Sequence, residues 1–297
     1  MSRKALVDFF SRSLSSFQSS QDAFRVLCTL PHHRENAAPP PSPSPSPRRP
    51  QQPVKSLVVL DSSFNPPTLA HLRMATSAIQ ASGGAGVSGA RLLLLLAVNN
   101  ADKAPKPVAF AVRLGLMYAF AEDLLALEGG REGEGGGMEV DVGVTAMPFF
   151  HDKARAVEGS GFYGTEGVEQ VYLAGYDTLI RIFDPKYYPA AEGGMKAALG
   201  PFLDRGRLRI SLRVGDEWGG EGEQVAYLER LREGGLEEVG GRREWAGRVE
   251  LVEGMEGEVV SSSRVREMAG RGDEEGLRGL LGDRVRGWVL EEGLYRE

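Results

Sequence analysis

Cysteine is nearly absent: one thiol, Cys28, in 297 residues cannot close an internal disulfide, and the expected state is a buried, inert side chain. No apolar run approaches the roughly 20 residues that a bilayer-spanning helix requires, so no membrane partner is expected. Excess basic charge is missing as well, with 35 Lys and Arg against 41 Asp and Glu and a net charge of −6. That balance argues against broad binding to nucleic acid or to anionic membranes, and any phosphate recognition has to be local. The expectation is an intracellular protein, cytoplasmic and/or nuclear. A mitochondrial presequence is disfavoured by Asp8, Asp22 and a weak basic bias near the N-terminus.

The chain is long enough for one large α/β domain with appendages. Residues 1–35 carry Ala5, Leu6, Phe9, Phe10, Leu14 and Phe17 at helical spacing, then a short strand-like run from Phe24 to Cys28. They read as an accessory helix and edge strand. Residues 36–53 form a Pro/Ser-rich stretch, expected to be a disordered or polyproline-like linker that offers a surface for a partner, with Arg48 and Arg49 as solvated charges. Residues 54–297 alternate strand-like and helix-like segments, the pattern of a Rossmann-like, doubly wound parallel sheet of about six strands with helices on both faces. Those strands are expected at Leu57–Leu60, Leu92–Val98, Met138–Val144, Val171–Ala174, Leu208–Val214 and Val249–Val252. A helix is expected from Phe110 to Leu127, and Gly129–Gly137 and Gly215–Gly222 read as loops.

Four segments each follow a predicted strand, and ligands of open α/β sheets bind beyond the carboxyl ends of strands. The first runs from Ser63 and Phe64 through two prolines and Thr68 to His71. The prolines exclude regular structure, Thr68 can cap the next helix, and His71 falls in its first turn, where free N–H groups favour an anion. The second is Asn99 to Lys103, with Arg113 on the helix beyond. The third is Gly175-Tyr176-Asp177; Asp177 can serve as a ligand or as the N-cap of a helix over Thr178–Phe183. The fourth is Ser261-Ser262-Ser263-Arg264-Val265-Arg266, hydroxyls at a helix start followed by a planar, always-charged fork. His151, Tyr187, Tyr188 and Trp218 have no spacing that singles them out, and His151 is expected in a surface loop.

Ser62-Ser63-Phe64-Asn65-Pro66-Pro67-Thr68-Leu69-Ala70-His71-Leu72-Arg73 resembles the first motif of the HxGH-type nucleotidyltransferases, and Val260 to Arg266 is similar to their late Ile-Ser-Ser-Thr-x-x-Arg motif. Gly175-x-Asp177, Asp102-Lys103 and the terminal Gly293-Leu294-Tyr295 extend the resemblance, specifically to nicotinamide mononucleotide (NMN) adenylyltransferases. The resemblance implies transfer of AMP from ATP to a phosphorylated acceptor by in-line attack, with Mg²⁺ accompanying the nucleotide. It implies His71 and Arg266 as catalytic residues. Ser63, Phe64, Gly175, Asp177, Ser261, Ser262 and Ser263 would join them around ATP, and Lys103, Arg113, Phe149 and Phe150 would face the acceptor. No metal ligand is expected from the protein.

The chain departs from that pattern in three places. Ser62 stands for the first glycine, Ser263 for threonine, and after the third strand Thr145 to Lys153 has no tryptophan–glutamate element of the kind that stacks on a pyridine ring. Phe149 or Phe150 can substitute for the indole. The acceptor is therefore left open between NMN and another phosphorylated compound. A nucleotide-binding regulatory protein with weak ATPase activity on the same fold is the alternative from outside the transferases.

Overall fold

The structure is a computed structural model that describes residues 1–31, 44–82, 90–98, 108–128, 138–164, 167–189, 193–213, 218–254 and 260–296. The chain begins with α1 (Arg3–Gln18) and β1 (Phe24–Leu30), then enters β2 (Ser56–Asp61), α2 (Leu69–Ala81), β3 (Ala90–Ala97), α3 (Phe110–Glu128) and β4 (Val140–Thr145). It continues through α4 (Phe150–Gly159), β5 (Glu169–Gly175), α5 (Tyr176–Ile182), α6 (Gly194–Leu203) and β6 (Arg207–Ser211). The last part comprises α7 (Glu221–Arg230), α8 (Leu236–Glu238), β7 (Val249–Val252), α9 (Ser262–Arg271), α10 (Glu274–Arg278) and α11 (Asp283–Glu291).

Seven strands form one sheet in the order β1-β4-β3-β2-β5-β6-β7, and every pair is parallel except β1 with β4. The edge strand expected from Phe24 joins the sheet as β1, so the sheet holds seven strands where about six are expected for residues 54–297. A continuous apolar run explains the central position of β2: Leu57 to Leu60 are all buried, so both faces need cover. Alternation assigns the faces. Val58 and Leu60 pack with α1, α2, α3, α9 and α11, whereas Leu57 and Val59 pack with α4, α5, α6 and α7. Between β2 and β5 the strand order reverses, and that reversal opens a crevice at their carboxyl ends.

Arg48 is half-buried rather than solvated, whereas Arg49 stays exposed as expected. Arg48 forms an ion pair with Glu139 and its backbone N–H donates to Thr29 Oγ1 (2.9 Å), while Arg49 donates to the Gly161 carbonyl (2.8 Å) and lies over the Phe162 ring. The reason is the free edge of β1: Thr29 N–H reaches the Ser46 carbonyl (3.0 Å), so residues 44–50 satisfy a strand edge that would otherwise lie open. Beneath them Arg91 donates from Nε to Asp141 Oδ2 (2.6 Å) and from Nη2 to Oδ1 (2.9 Å), and Thr29 Oγ1 donates to the same carboxylate (2.6 Å). Cys28, in the same strand, is fully buried, and burial pushes its thiol pKa up.

The Arg91 and Asp141 side chains are 3% and 0% exposed, so deleting one strands the other without water. Arg91→Ala should lower unfolding free energy by about 3–5 kcal/mol, the usual effect of breaking a buried pair. Urea denaturation measures this, and a loss below about 1 kcal/mol would contradict the pairing.

Candidate active site

A cavity of about 810 Å³ occupies the crevice between the carboxyl ends of β2 and β5. Its wall includes Ser63 and His71 from the first motif, Gly175 and Asp177 after β5, and Ser261, Ser262 and Arg266 from the serine segment. Arg113, Phe149 and Phe150 line it too. Segments nearly 200 residues apart in the chain therefore share one wall, as their common position after strands requires. Lys103 and the rest of 99–103 lie outside the described residues.

Thr68 opens α2 in extended conformation (φ −129°, ψ 172°), and its backbone N–H donates to His71 Nδ1 (3.1 Å). A backbone N–H can only donate, so Nδ1 carries a lone pair and the proton of the neutral ring sits on Nε2. Nε2 then donates toward Ser62 Oγ (3.0 Å), at the cavity wall. The tautomer is thereby fixed with its N–H toward the space a ligand would enter. Burial holds His71 down to about 4, and the positive charge of Arg213 adds to the effect, so the imidazole is neutral at physiological pH. Phe64 supports it from below: fully buried and in the left-handed region (φ 45°), its ring centroid lies 5.9 Å from that of His71. Its side chain is packing and takes no part in the wall.

The serine segment forms α9 as expected, with Ser261 as N-cap accepting from Arg264 N–H (3.2 Å). Ser262 Oγ donates to the Pro66 carbonyl (2.8 Å), and Arg266 Nη1 donates to the Asn65 carbonyl (2.8 Å). Ser263 departs from its expected place. It is exposed, is absent from the cavity wall, and accepts from Arg266 Nη2 (2.9 Å), which makes it a prop for the guanidinium. Tyr295 OH donates to Asn65 Oδ1 (2.9 Å), so the chain's end closes on the same turn. Asp123, buried in α3, fixes the approach of that end by accepting the Arg284 and Val285 N–H groups at the start of α11 (3.0 and 3.3 Å).

At β5 the helix starts two residues earlier than a cap at Asp177 needs. Gly175 is the N-cap of α5 and Asp177 lies in its first turn. Asp177 Oδ1 accepts from Arg213 Nε (3.0 Å) and Nη2 (2.7 Å). Gly175 makes room for that pair, since a Cβ there would lie 2.8 Å from Asp177 Oδ1 and 3.1 Å from Arg213 Nε. Gln224, fully buried, clamps the Arg213 backbone by accepting its N–H (3.0 Å) and donating to its carbonyl (2.7 Å). Arg113 is buried at the opposite wall and donates to the Val108 carbonyl (2.8 Å).

Phe149 and Phe150 stand at the start of α4 and line the cavity with Tyr187 and Tyr188, Phe149 in tilted contact with Tyr187. His151 is helical and half-buried, not in a surface loop, because its ring stacks on Phe149 (5.8 Å between centroids, 8° between planes). Lys153 Nζ, also at the wall, donates to Asp61 Oδ2 (2.5 Å). Sequence reasoning passed over Asp61, Lys153, Arg213, Gln224, Tyr187 and Tyr188. Asp61 and Arg213 follow the apolar runs of β2 and β6, which is a readable signal, and Lys153 shares a helix face with Phe150 three residues before it. Tyr187, Tyr188 and Gln224 reach their places through tertiary packing alone.

A Schizosaccharomyces pombe protein named "Putative nicotinamide mononucleotide adenylyltransferase" is 36% identical over 229 residues, covering 76% of this chain and 81% of that protein. The chain belongs to the NMN adenylyltransferase family. It is therefore a nucleotidyltransferase, of the adenylyltransferase kind. Among solved structures, Plasmodium falciparum nicotinic acid mononucleotide adenylyltransferase complexed with NaAD aligns with a TM-score of 0.50 at 12% identity, over 81% of this chain and 97% of that one. That likeness bears on the fold, which is Rossmann-like. No protein-family model matches the chain.

For this member of the family, the neutral state of His71 is directly measurable. The unfolded chain takes up a proton near the ordinary histidine value and the folded one only near 4, so stability falls as pH drops from about 6.5 toward 4. The His71 ring resonances should titrate with a midpoint near 4, and Arg213→Ala should move that midpoint upward. A midpoint above 6 in the native protein would show that the ring is neither desolvated nor beside a cation.

Proposed function

We propose that the chain transfers AMP from ATP to NMN, releasing pyrophosphate and forming NAD. The observation that carries this reading is the fixed tautomer of His71, whose Nε2–H faces a cavity also lined by Ser261, Ser262 and Arg266. A 5′-phosphate oxygen of the acceptor attacks the α-phosphorus in line, a new P–O bond forms, and the bond to the pyrophosphate oxygen breaks. The nucleophile is already ionised, so the reaction needs positioning and charge neutralisation rather than a general base. His71 donates to an α-phosphate oxygen while charge builds there. Ser261 and Ser262, with Arg266 propped by Ser263, hold the β- and γ-phosphates, and backbone N–H groups at Ser63 and Phe64 complete the cradle.

Gly175 and Asp177 face the ATP ribose, Arg113 the acceptor phosphate, and Phe149 or Phe150 the pyridine ring. Among the described residues no three His, Cys, Asp or Glu side chains come together as a metal site, and Asp61 and Asp177 are paired with Lys153 and Arg213. Mg²⁺ arriving with ATP would offset the charge of the departing pyrophosphate.

Incubation with Mg-ATP and NMN should give NAD and pyrophosphate in equal amounts, identified by mass. His71→Ala should lower turnover by about 10²–10³-fold, the effect of deleting one donor to a developing oxyanion. ATP hydrolysis with no dinucleotide formed would overturn this reading.

A further inference from the structure

Asp61 and Lys153 are a pair of opposite charges at the cavity wall, and their side chains are only 7% and 8% exposed. Alternation along β2 puts Asp61 on the same face as Leu57 and Val59, away from Val58 and Leu60 and toward α4. Lys153 comes up from α4 with its ammonium 5.4 Å from the Phe150 ring centroid. Around them the cavity is aromatic, with Phe149 and Tyr187 in tilted contact (6.4 Å). Tyr188 has its hydroxyl turned to the Ile182 carbonyl (2.6 Å), so its ring faces the space.

A buried ion pair is weak evidence for stability, because desolvation offsets most of its Coulomb energy. This one is also incompletely used. Among the described residues Asp61 Oδ1 accepts nothing, and Lys153 donates only to Asp61 Oδ2. The cavity wall thus offers one acceptor and one donor side by side, beside faces suited to an aromatic cation.

A primary carboxamide has the complementary pair, an N–H donor and a carbonyl acceptor on one carbon. A carboxylate has two acceptors and a charge that Asp61 repels, while the ammonium is already shared. We propose that Asp61 and Lys153 are the specificity-determining residues of the acceptor site, accepting the carboxamide N–H at Asp61 and donating to its carbonyl from Lys153, and so selecting nicotinamide mononucleotide over nicotinate mononucleotide. This inference rests on the adenylyl transfer proposed above.

The test compares kcat/KM for the two acceptors with Mg-ATP, together with acceptor binding by calorimetry. The native protein should favour NMN by about tenfold or more, since a site built from paired hydrogen-bonding groups rejects an analogue that leaves one unmatched. Asp61→Asn leaves the ammonium without its counter-ion and should shift the ratio toward nicotinate mononucleotide by about tenfold or more. The double variant Asp61→Asn with Lys153→Met buries no lone charge, and it should use both acceptors alike. A native protein that treats the two acceptors equally, or prefers the nicotinate form, overturns the inference and leaves adenylyl transfer intact. So does an unchanged ratio in a folded Asp61→Asn or in the double variant. No dinucleotide from either acceptor overturns adenylyl transfer itself, and the inference with it.

Discussion

The irregular turn between β2 and α2 has backbone carbonyls that no strand or helix can satisfy, and the structure depends on who satisfies them. A buried carbonyl without a partner is costly, so the fold must supply donors from elsewhere. They come from the far end of the chain: Arg266 reaches the Asn65 carbonyl and Ser262 the Pro66 carbonyl, while Tyr295 holds the Asn65 side chain. Closing the domain and building the cavity are therefore one event. Ser262 and Arg266, which complete the turn's hydrogen bonds, also line the cavity beside His71.

The cavity resolves a charge problem that composition poses. A chain with a net charge of −6 repels nucleotides at long range, yet the cavity wall carries more cations than carboxylates. Two of those carboxylates, Asp61 and Asp177, are matched by Lys153 and Arg213. Gln224, neutral and fully buried, fixes the Arg213 backbone, and Asp177 holds its guanidinium. The positive charge of Arg213 adds to burial in keeping His71 neutral. A neutral imidazole donates from Nε2 without competing with phosphate for a counter-ion.

Most of this was legible wherever local sequence decides local structure. The apolar runs give the strands, their positions give the crevice, and Thr68, His71 and Ser261 fall where helix-start chemistry puts them. Legibility stops where a residue's place depends on a distant partner. Arg48 looked solvated because nothing nearby announces Glu139 or the free edge of β1. Ser263 looked equivalent to Ser261 and Ser262, yet helical rotation turns it outward onto Arg266. Asp177 is open between ligand and cap because the sequence does not reveal that Gly175 is the cap, where a Cβ would crowd Asp177 and Arg213.

The two ends of the cavity differ in kind, and the difference follows from the sheet. On the face of α2 and α9, helix starts converge, so hydroxyls, free N–H groups and guanidinium forks gather and the chemistry read there is charge. On the face of α4 the wall is built from rings, with Asp61 and Lys153 cancelling each other among them. Such a wall has almost no net field to offer a phosphate, but it has shape and a paired donor and acceptor. At the end of β2 successive residues part: Asp61, the strand's last residue, meets Lys153, and Ser62, just beyond it, meets His71. One residue's step along the backbone therefore separates the part of the site suited to the reaction from the part suited to choosing what reacts.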